Sequence, residues 1–332
     1  MTDQFGIQEL FPTLAGGKEW FNNWGTAATT VTYTSSYPDL TDNWVYYHGN
    51  NGTYRIYGQD DPDNQYCMAM WGTAPRYYIE AYSDRPHGAN PTGLPSIQGY
   101  GTIQNPTIIP WQSVEMTIYS KIDVPSTISY SGITLGSWTN HYSDTFNGVA
   151  DYSSRTYYTV FEALNGEMLH KKENYFPNTS QFINTSYPLG GALQTGVWVG
   201  IKHICRYFDN LPQVQLDTYI DLSEGGRNGT QVWNHVLSNT DFDGLLNVAG
   251  TGDAQQTTSQ DPQGTPGSFW TGKVIKPGYH STCQRLLLRN DGITNLPIGQ
   301  YFKWYSIREI DSLHQYPGPV PQYNISRKIL LP

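Results

Sequence analysis

From Ser113 to Ile122 apolar and polar residues alternate: Val114, Met116, Ile118 and Ile122 take one side, and Glu115, Thr117, Tyr119 and Lys121 the other. A period of two belongs to a β-strand with one buried face. Gln213–Leu222 repeats it, with Val214, Leu216, Ile220 and Leu222 opposite Gln215, Asp217, Tyr219 and Asp221. Further strands of this kind fall at Trp44–His48, Tyr54–Gly58, Arg76–Tyr82, Thr127–Leu135, Arg155–Ala163, Trp198–Tyr207, Gln284–Arg289 and Tyr301–Glu309. Turn formers separate them, among them Gly49–Gly52, Asp60–Asn64, Asn165-Gly166, Glu224–Gly229 and Asn290–Gly292. No stretch carries the period of a long helix.

Strands without helical crossovers pair antiparallel, and one apolar face on each calls for two sheets packed together. The expected fold is an all-β antiparallel sandwich with long Gly/Pro-rich loops. No internal repeat of propeller or solenoid length is present. One domain is expected over residues 1–311, with loop excursions at 83–110 and 241–277 and a Pro-rich C-terminal tail at 312–332.

Composition narrows the class. Only 14% of residues are charged while aromatics also reach 14%, including 26 Tyr and 10 Trp. Coiled coils and disordered chains have the opposite balance. A net charge of -9 gives no basic footprint for nucleic acid or anionic lipid. No apolar run is long enough to span a membrane. The N-terminus lacks a secretory signal, yet a chain poor in Lys and rich in Tyr, Asn, Thr and Gly suits an extracellular or secreted protein whose export signal is absent from this sequence. Three cysteines, Cys67, Cys205 and Cys283, allow at most one internal disulfide and no spacing selects a pair. Part of the Tyr excess, at Tyr78, Tyr82, Tyr119, Tyr158 and Tyr219, falls on the polar side of the strands. Such rings suit sugar C–H faces or a protein partner as well as half-buried packing.

Three stretches resemble a family of secreted archaeal and environmental proteins with a concanavalin A-like jelly roll, grouped with alginate-lyase-like proteins. They are Phe5–Thr13 with Gly16–Phe21, the central Trp111–Lys121 and Trp198–Asp221, and the closing Arg289–Gly292 with Lys303–Ile310. The resemblance implies a jelly roll whose polar face binds a polysaccharide, and a β-eliminating lyase acting on an acidic, uronate glycan. Such a lyase neutralises the carboxylate, removes the adjacent proton and protonates the leaving oxygen, with no cofactor required. The residues implied for catalysis are Arg76 as neutraliser, His141, Tyr158 as general acid or base, and Lys172. Those implied for substrate binding are Tyr78, Glu115, Tyr119, Lys121 and Asn140. The family's Arg-rich strand motif is missing, and Trp304-Tyr305 replaces small residues in its last motif.

Other chemistries have weaker footings. Glu309-Ile310-Asp311 begins a retaining-glucanase pattern that His314 leaves incomplete. No zinc spacing and no nucleophile-elbow motif occur. Asp60, Asp61 and Asp63 share one acidic turn that suits a structural calcium ion, though without EF-hand spacing. Three functions follow: a polysaccharide lyase, a non-catalytic glycan-binding lectin or adhesin, and a self-associating subunit of an extracellular sheath, filament or coat.

Overall fold

The computed structural model describes residues 1–22, 29–33, 37–42, 45–50, 52–57, 67–71, 76–82, 111–123, 132–139, 156–175, 179–208, 213–223, 231–242, 283–289 and 300–313. Among these residues are seventeen strands and no helix. They are β1 Glu19–Asn22, β2 Thr29–Tyr33, β3 Tyr37–Asp42, β4 Val45–Asn50, β5 Gly52–Tyr57, β6 Cys67–Trp71, β7 Arg76–Tyr82, β8 Val114–Ile122 and β9 Gly132–Thr139. There follow β10 Thr156–Glu162, β11 Met168–Tyr175, β12 Thr179–Ser186, β13 Val199–Phe208, β14 Gln213–Asp221, β15 Trp233–Phe242, β16 Cys283–Arg289 and β17 Gln300–Glu309.

The strands form two antiparallel sheets, the all-β sandwich expected from the alternation. The first runs β15-β14-β13-β8-β17-β6-β5-β2, with β1 also paired to β17. The second runs β12-β11-β10-β9-β16-β7-β4-β3. The two C-terminal strands thus lie inside the sheets: β17 between β8 and β6, and β16 between β9 and β7. The excursion at 83–110, most of that at 241–277 and nearly all of the tail lie outside the described residues. Asp241 and Phe242 close β15 instead of opening a loop.

Where both faces of a strand follow the alternating rule, sequence and structure agree closely. Met68, Met70, Ile79, Val114, Met116, Ile118, Leu135, Phe161, Ile201, Leu216, Leu286, Phe302 and Ile307 meet in one core between the sheets. β9 runs on past Leu135 to Thr139, with Gly136-Ser137 mid-strand, while residues 127–131 lie outside the described residues. A Cβ on Gly136 would stand 2.7 Å from the Tyr158 ring, so that ring occupies the space a side chain would fill.

Seven strands, among them β11 and β15, were not legible as alternation. β11 turns Met168, His170 and Lys172 inward, and β15 turns Leu237, Asn239 and Asp241 inward. Their polar inward residues build a hydrogen-bonded belt inside the sandwich. Asn239 Nδ2 donates to His170 Nδ1 at 2.8 Å, which leaves the His170 proton on Nε2, 2.7 Å from Thr218 Oγ1. Thr218 Oγ1 lies 2.9 Å from Thr159 Oγ1, and Thr159 Oγ1 lies 2.7 Å from His203 Nδ1. His203 Nε2 faces Ser137 Oγ at 2.8 Å, and Ser137 ends the relay on Met116 Sδ at 3.8 Å. The donor amide of Asn239 fixes the tautomer of His170, whose Nε2 proton goes to Thr218.

The outer face of the first sheet is a second core layer. The N-terminal segment crosses it, with Ile7 and Phe5 against Tyr119, Trp198 and Tyr301, and Leu10 and Phe11 against Ile204 and Tyr219. Under the segment, Glu115 Oε2 accepts from the Leu10 and Phe11 amides at 3.2 and 3.1 Å. Its Oε1 takes Lys202 Nζ at 2.6 Å and Arg308 Nη2 at 2.9 Å. Burial pushes the Glu115 carboxyl up, but Lys202 and Arg308 outweigh it and hold the group below the usual carboxylate range. Tyr119 donates to Asp221 Oδ2 at 2.7 Å, and Lys121 Nζ lies 4.8 Å from the Tyr301 ring centroid and 5.2 Å from that of Trp198. Glu115, Tyr119 and Lys121, expected on a sugar-facing surface, are therefore buried. Alternation separates two faces of a strand but does not say that the polar one meets water.

Candidate functional site

The outer face of the second sheet differs in composition. Because Tyr77, Ile79, Leu286 and Leu288 enter the core, the intervening Arg76, Tyr78, Arg285, Leu287 and Arg289 turn outward. The same parity turns Thr134 and Gly136 of β9, and Tyr158, Val160 and Glu162 of β10, to that side. Cross-strand register arranges them in rows. One row runs Lys171, Tyr158, Gly136, Arg285, Glu80; the next Leu169, Val160, Thr134, Leu287, Tyr78; the third Glu162, Gly132, Arg289, Arg76.

Two aromatic rings define the shape of this face. Tyr158 lies across Gly136, whose missing side chain lets the ring bridge from β10 over β9. Arg285 places its guanidinium 4.6 Å from the Tyr78 ring centroid, a cation–π contact on the diagonal between β16 and β7. Tyr158, Arg285 and Thr134 are buried, while Arg76, Tyr78 and Arg289 are half-buried. Glu162 closes the third row. Burial first, and Glu167 second, push its carboxyl up, against the opposing pull of Lys171 and Arg289.

Of the residues singled out from the sequence, the structure brings Arg76, Tyr78 and Tyr158 to this one face. Lys172 is not with them. It points into the sandwich, where its Nζ lies 2.6 Å from Asp241 Oδ2, the oxygen that also accepts the Tyr157 hydroxyl. Its sequence neighbour Lys171 faces outward instead. Asn140, His141, Asp60, Asp61 and Asp63 lie outside the described residues. Among the described residues no group of three or more metal-binding side chains converges. Cys67 and Cys205 are buried free thiols.

Arg285 and Arg289 escaped the sequence-level selection, although their spacing on one strand already put them on one face. The missing information was the neighbour of β16, which sequence order does not give.

A second polar cluster, on β13–β15 of the first sheet, resembles a catalytic triad in composition only. His235 Nε2 and Ser238 Oγ both point at Asp217 Oδ1, at 3.0 and 2.8 Å, and Arg206 Nη2 reaches Oδ2 at 3.0 Å. The histidine faces the carboxylate and not the serine, so it cannot take the serine's proton. Burial raises the Asp217 carboxyl, but the bonds from His235 and the charge of Arg206 prevail and lower it.

No family model matches the chain, and no curated protein matches it. Among solved structures, the metal-free exoplasmic/lumenal domain of VIP36 is similar at 7% identity and a TM-score of 0.41, covering 87% of this chain and 96% of that one. A Shewanella oneidensis MR-1 protein of unknown function is similar at 12% identity and a TM-score of 0.38, covering 88% and 91%. Lectin II from Ulex europaeus is similar at 7% identity and a TM-score of 0.37, covering 84% and 97%. At these scores the likeness assigns no residue and no ligand to this chain. The resemblance to alginate-lyase-like proteins gains no support from sequence comparison.

Proposed function

We propose that the protein is a glycan-binding protein whose ligand lies on the outer face of the second sheet. One observation supports this most: Tyr158 spread over Gly136 and Tyr78 stacked under Arg285 lie on the same face, with Thr134 in the row of Tyr78 and one row from Tyr158. Flat rings offer stacking surfaces for sugar C–H faces, and Arg and Thr offer the hydroxyl partners that a stacked ring needs beside it. The composition, poor in Lys and rich in Tyr, Asn, Thr and Gly, supports an extracellular setting for such a ligand.

Binding without cleavage is the preferred form of this reading. The lyase alternative needed Lys172 beside Arg76 and Tyr158, and Lys172 is engaged with Asp241 on the opposite side of its strand. A glycan array followed by calorimetry on the best ligand tests the proposal. Tyr78→Ala is expected to weaken binding at least tenfold while the thermal midpoint stays within a few degrees; Tyr158→Ala, which removes a buried ring, is expected to weaken binding as much and to lower the midpoint as well. Gly136→Ala, which pushes the Tyr158 ring aside, is expected to weaken it severalfold. Binding unchanged in all three variants would place the ligand elsewhere. A rise in ultraviolet absorbance from unsaturated products on alginate, glucuronan or pectate would restore the lyase. A structural calcium ion at Asp60, Asp61 and Asp63 is the metal proposed; a thermal midpoint equal in calcium and in chelator would remove it.

A further inference from the structure

We propose that Glu162, Glu167 and Tyr187, at the β10–β12 end of the outer face of the second sheet, form a subsite for a neutral sugar, in which the Tyr187 ring stacks on the pyranose and Glu162 accepts its hydroxyls. The inference rests on the glycan-binding reading and adds to it a position and a sugar class. Register carries the third row beyond Glu162. Phe161 pairs with Met168 and Met168 with Ser186, and both Phe161 and Met168 enter the core. The next positions, Glu162, Glu167 and Tyr187, therefore turn to the outer side. Glu162 N donates to the Glu167 carbonyl at 2.8 Å, so the two residues are the closing pair of the β10–β11 hairpin. Tyr187 is 52% exposed, and its hydroxyl donates to Glu167 Oε1 at 3.0 Å.

Glu162 is the residue that points to a ligand. It is only 7% exposed, yet among the described residues no hydrogen bond or ion pair reaches its carboxyl, and neither oxygen is sealed from solvent. A carboxylate held this deep without donors gains charge-assisted hydrogen bonds from hydroxyls brought to it. Like charges opposed at a hairpin end disfavour the sheet, so the pair does not serve the fold. Lys171 and Arg289 offset the two negative charges, which favours a hydroxyl over a cation as the occupant. The rest of the cluster is fixed in advance. Asn165 Nδ2 donates to Glu167 Oε2 at 3.3 Å, and Asn165 Oδ1 accepts from the Glu167 amide at 2.9 Å. Gly166, at φ 69°, packs so closely on the turn after Tyr187 that a Cβ would stand 2.1 Å from the Gly191 carbonyl oxygen. An exposed ring already held by its own hydroxyl loses little freedom when a sugar stacks on it.

The test compares three oligosaccharide sets of equal length, by calorimetry at physiological salt: neutral hexose oligomers, uronate oligomers and deacetylated amino-sugar oligomers. Neutral oligomers are expected to bind about tenfold more tightly than uronates, whose carboxylates would face Glu162 and Glu167. Tyr187→Ala, at an exposed position, should weaken neutral binding about tenfold and leave the thermal midpoint unchanged. Tyr187→Phe, which keeps the ring and loses only its bond to Glu167, should recover most of that loss. Glu162→Gln should cost neutral oligomers about tenfold and narrow the discrimination against uronates. Circular dichroism monitors the fold, and if the Gln variant fails to fold, the two Tyr187 variants carry the test. Neutral binding that depends on Tyr78 but is indifferent to Tyr187→Ala and Glu162→Gln would overturn the inference while glycan binding stands. So would tighter binding of uronates, or of amino-sugar oligomers, which would assign the carboxylates to a cation. Failure of all three sets to bind would remove the glycan reading together with it.

Discussion

At the residue scale, the two faces of one short segment have opposite fates. Lys171 and Lys172 are neighbours in sequence, yet Lys171 turns outward and Lys172 is sealed beside Asp241 and Tyr157. A buried ion pair adds little net stability over an apolar pair, but removing one partner strands the other. Lys172→Met is therefore expected to cost about 3–5 kcal/mol in urea unfolding by leaving Asp241 unpaired. The folded fraction should bind glycan as the parent does. A Lys172→Met protein of unchanged stability, or a folded one that has lost the ligand, would contradict the structural role. Doubled basic residues give no sequence signal for which of them a strand turns inward; only the pairing of β11 with β10 and the packing on β15 decide it.

At the element scale, the N-terminal segment is more than a leader into β1. It covers the outer face of the first sheet and supplies two backbone amides to a carboxylate that also holds Lys202 and Arg308. Trp304, in the left-handed backbone region at φ 55°, marks the bulge in β17 that brings its indole to this layer and sends Tyr305 to the main core. Removing residues 1–12 should expose Ile204, Tyr219 and the Glu115 cluster. The expected result is a lower urea midpoint and binding of a hydrophobic dye at neutral pH. An unchanged midpoint would mean that the segment only rests on the sheet. Strands whose two faces differ in polarity, such as β7, β8, β14 and β16, were legible within a residue or two. β11 and β15 were not, because they carry polar groups into the interior, where partners on the other sheet satisfy them.

At the scale of the whole molecule, the polar belt ties the two sheets together and makes stability depend on acid. Burial is the main cause that pushes His170 and His203 down to about 3 each, with the nearby His203 adding to the effect at His170 and Asp217 opposing it at both. The folded protein thus holds both rings neutral where the unfolded chain, with histidines near 6.5, has begun to charge them. Stability contributed by each ring is complete above about pH 6.5 and declines as pH falls from there toward 3, by up to about 1.4 kcal/mol per pH unit for each. The surroundings give the reason: both ring nitrogens of His203 meet neutral hydroxyls, of Thr159 and Ser137, in the buried interior, so a charged ring there would lose its hydration without gaining a carboxylate at either nitrogen. The urea midpoint should fall between pH 7.5 and pH 5, and His203→Gln should flatten that fall even though it lowers the midpoint at neutral pH. Equal midpoints at the two pH values would refute the neutral state of the two buried rings.

The placement of β16 and β17 also belongs to this scale. Neither sheet is continuous until the C-terminal strands insert between β7 and β9, and between β6 and β8. Such non-local pairing slows folding and carries no local signature in the chain.

Period-two patterning by itself determined the class of the fold, the core rows of the regular strands and the polar-face parity of Arg76 and Tyr78, because side-chain alternation is a local property of an extended backbone. Which strands become neighbours is not local. Only the tertiary structure set Arg289 against Arg76, laid Tyr158 over Gly136, turned Lys172 toward Asp241 and drew the N-terminal segment over Glu115, Tyr119 and Lys121. A polar face is a statement about hydrogen-bonding capacity, and the assembled fold chooses whether water, a second layer of chain or a ligand fills it.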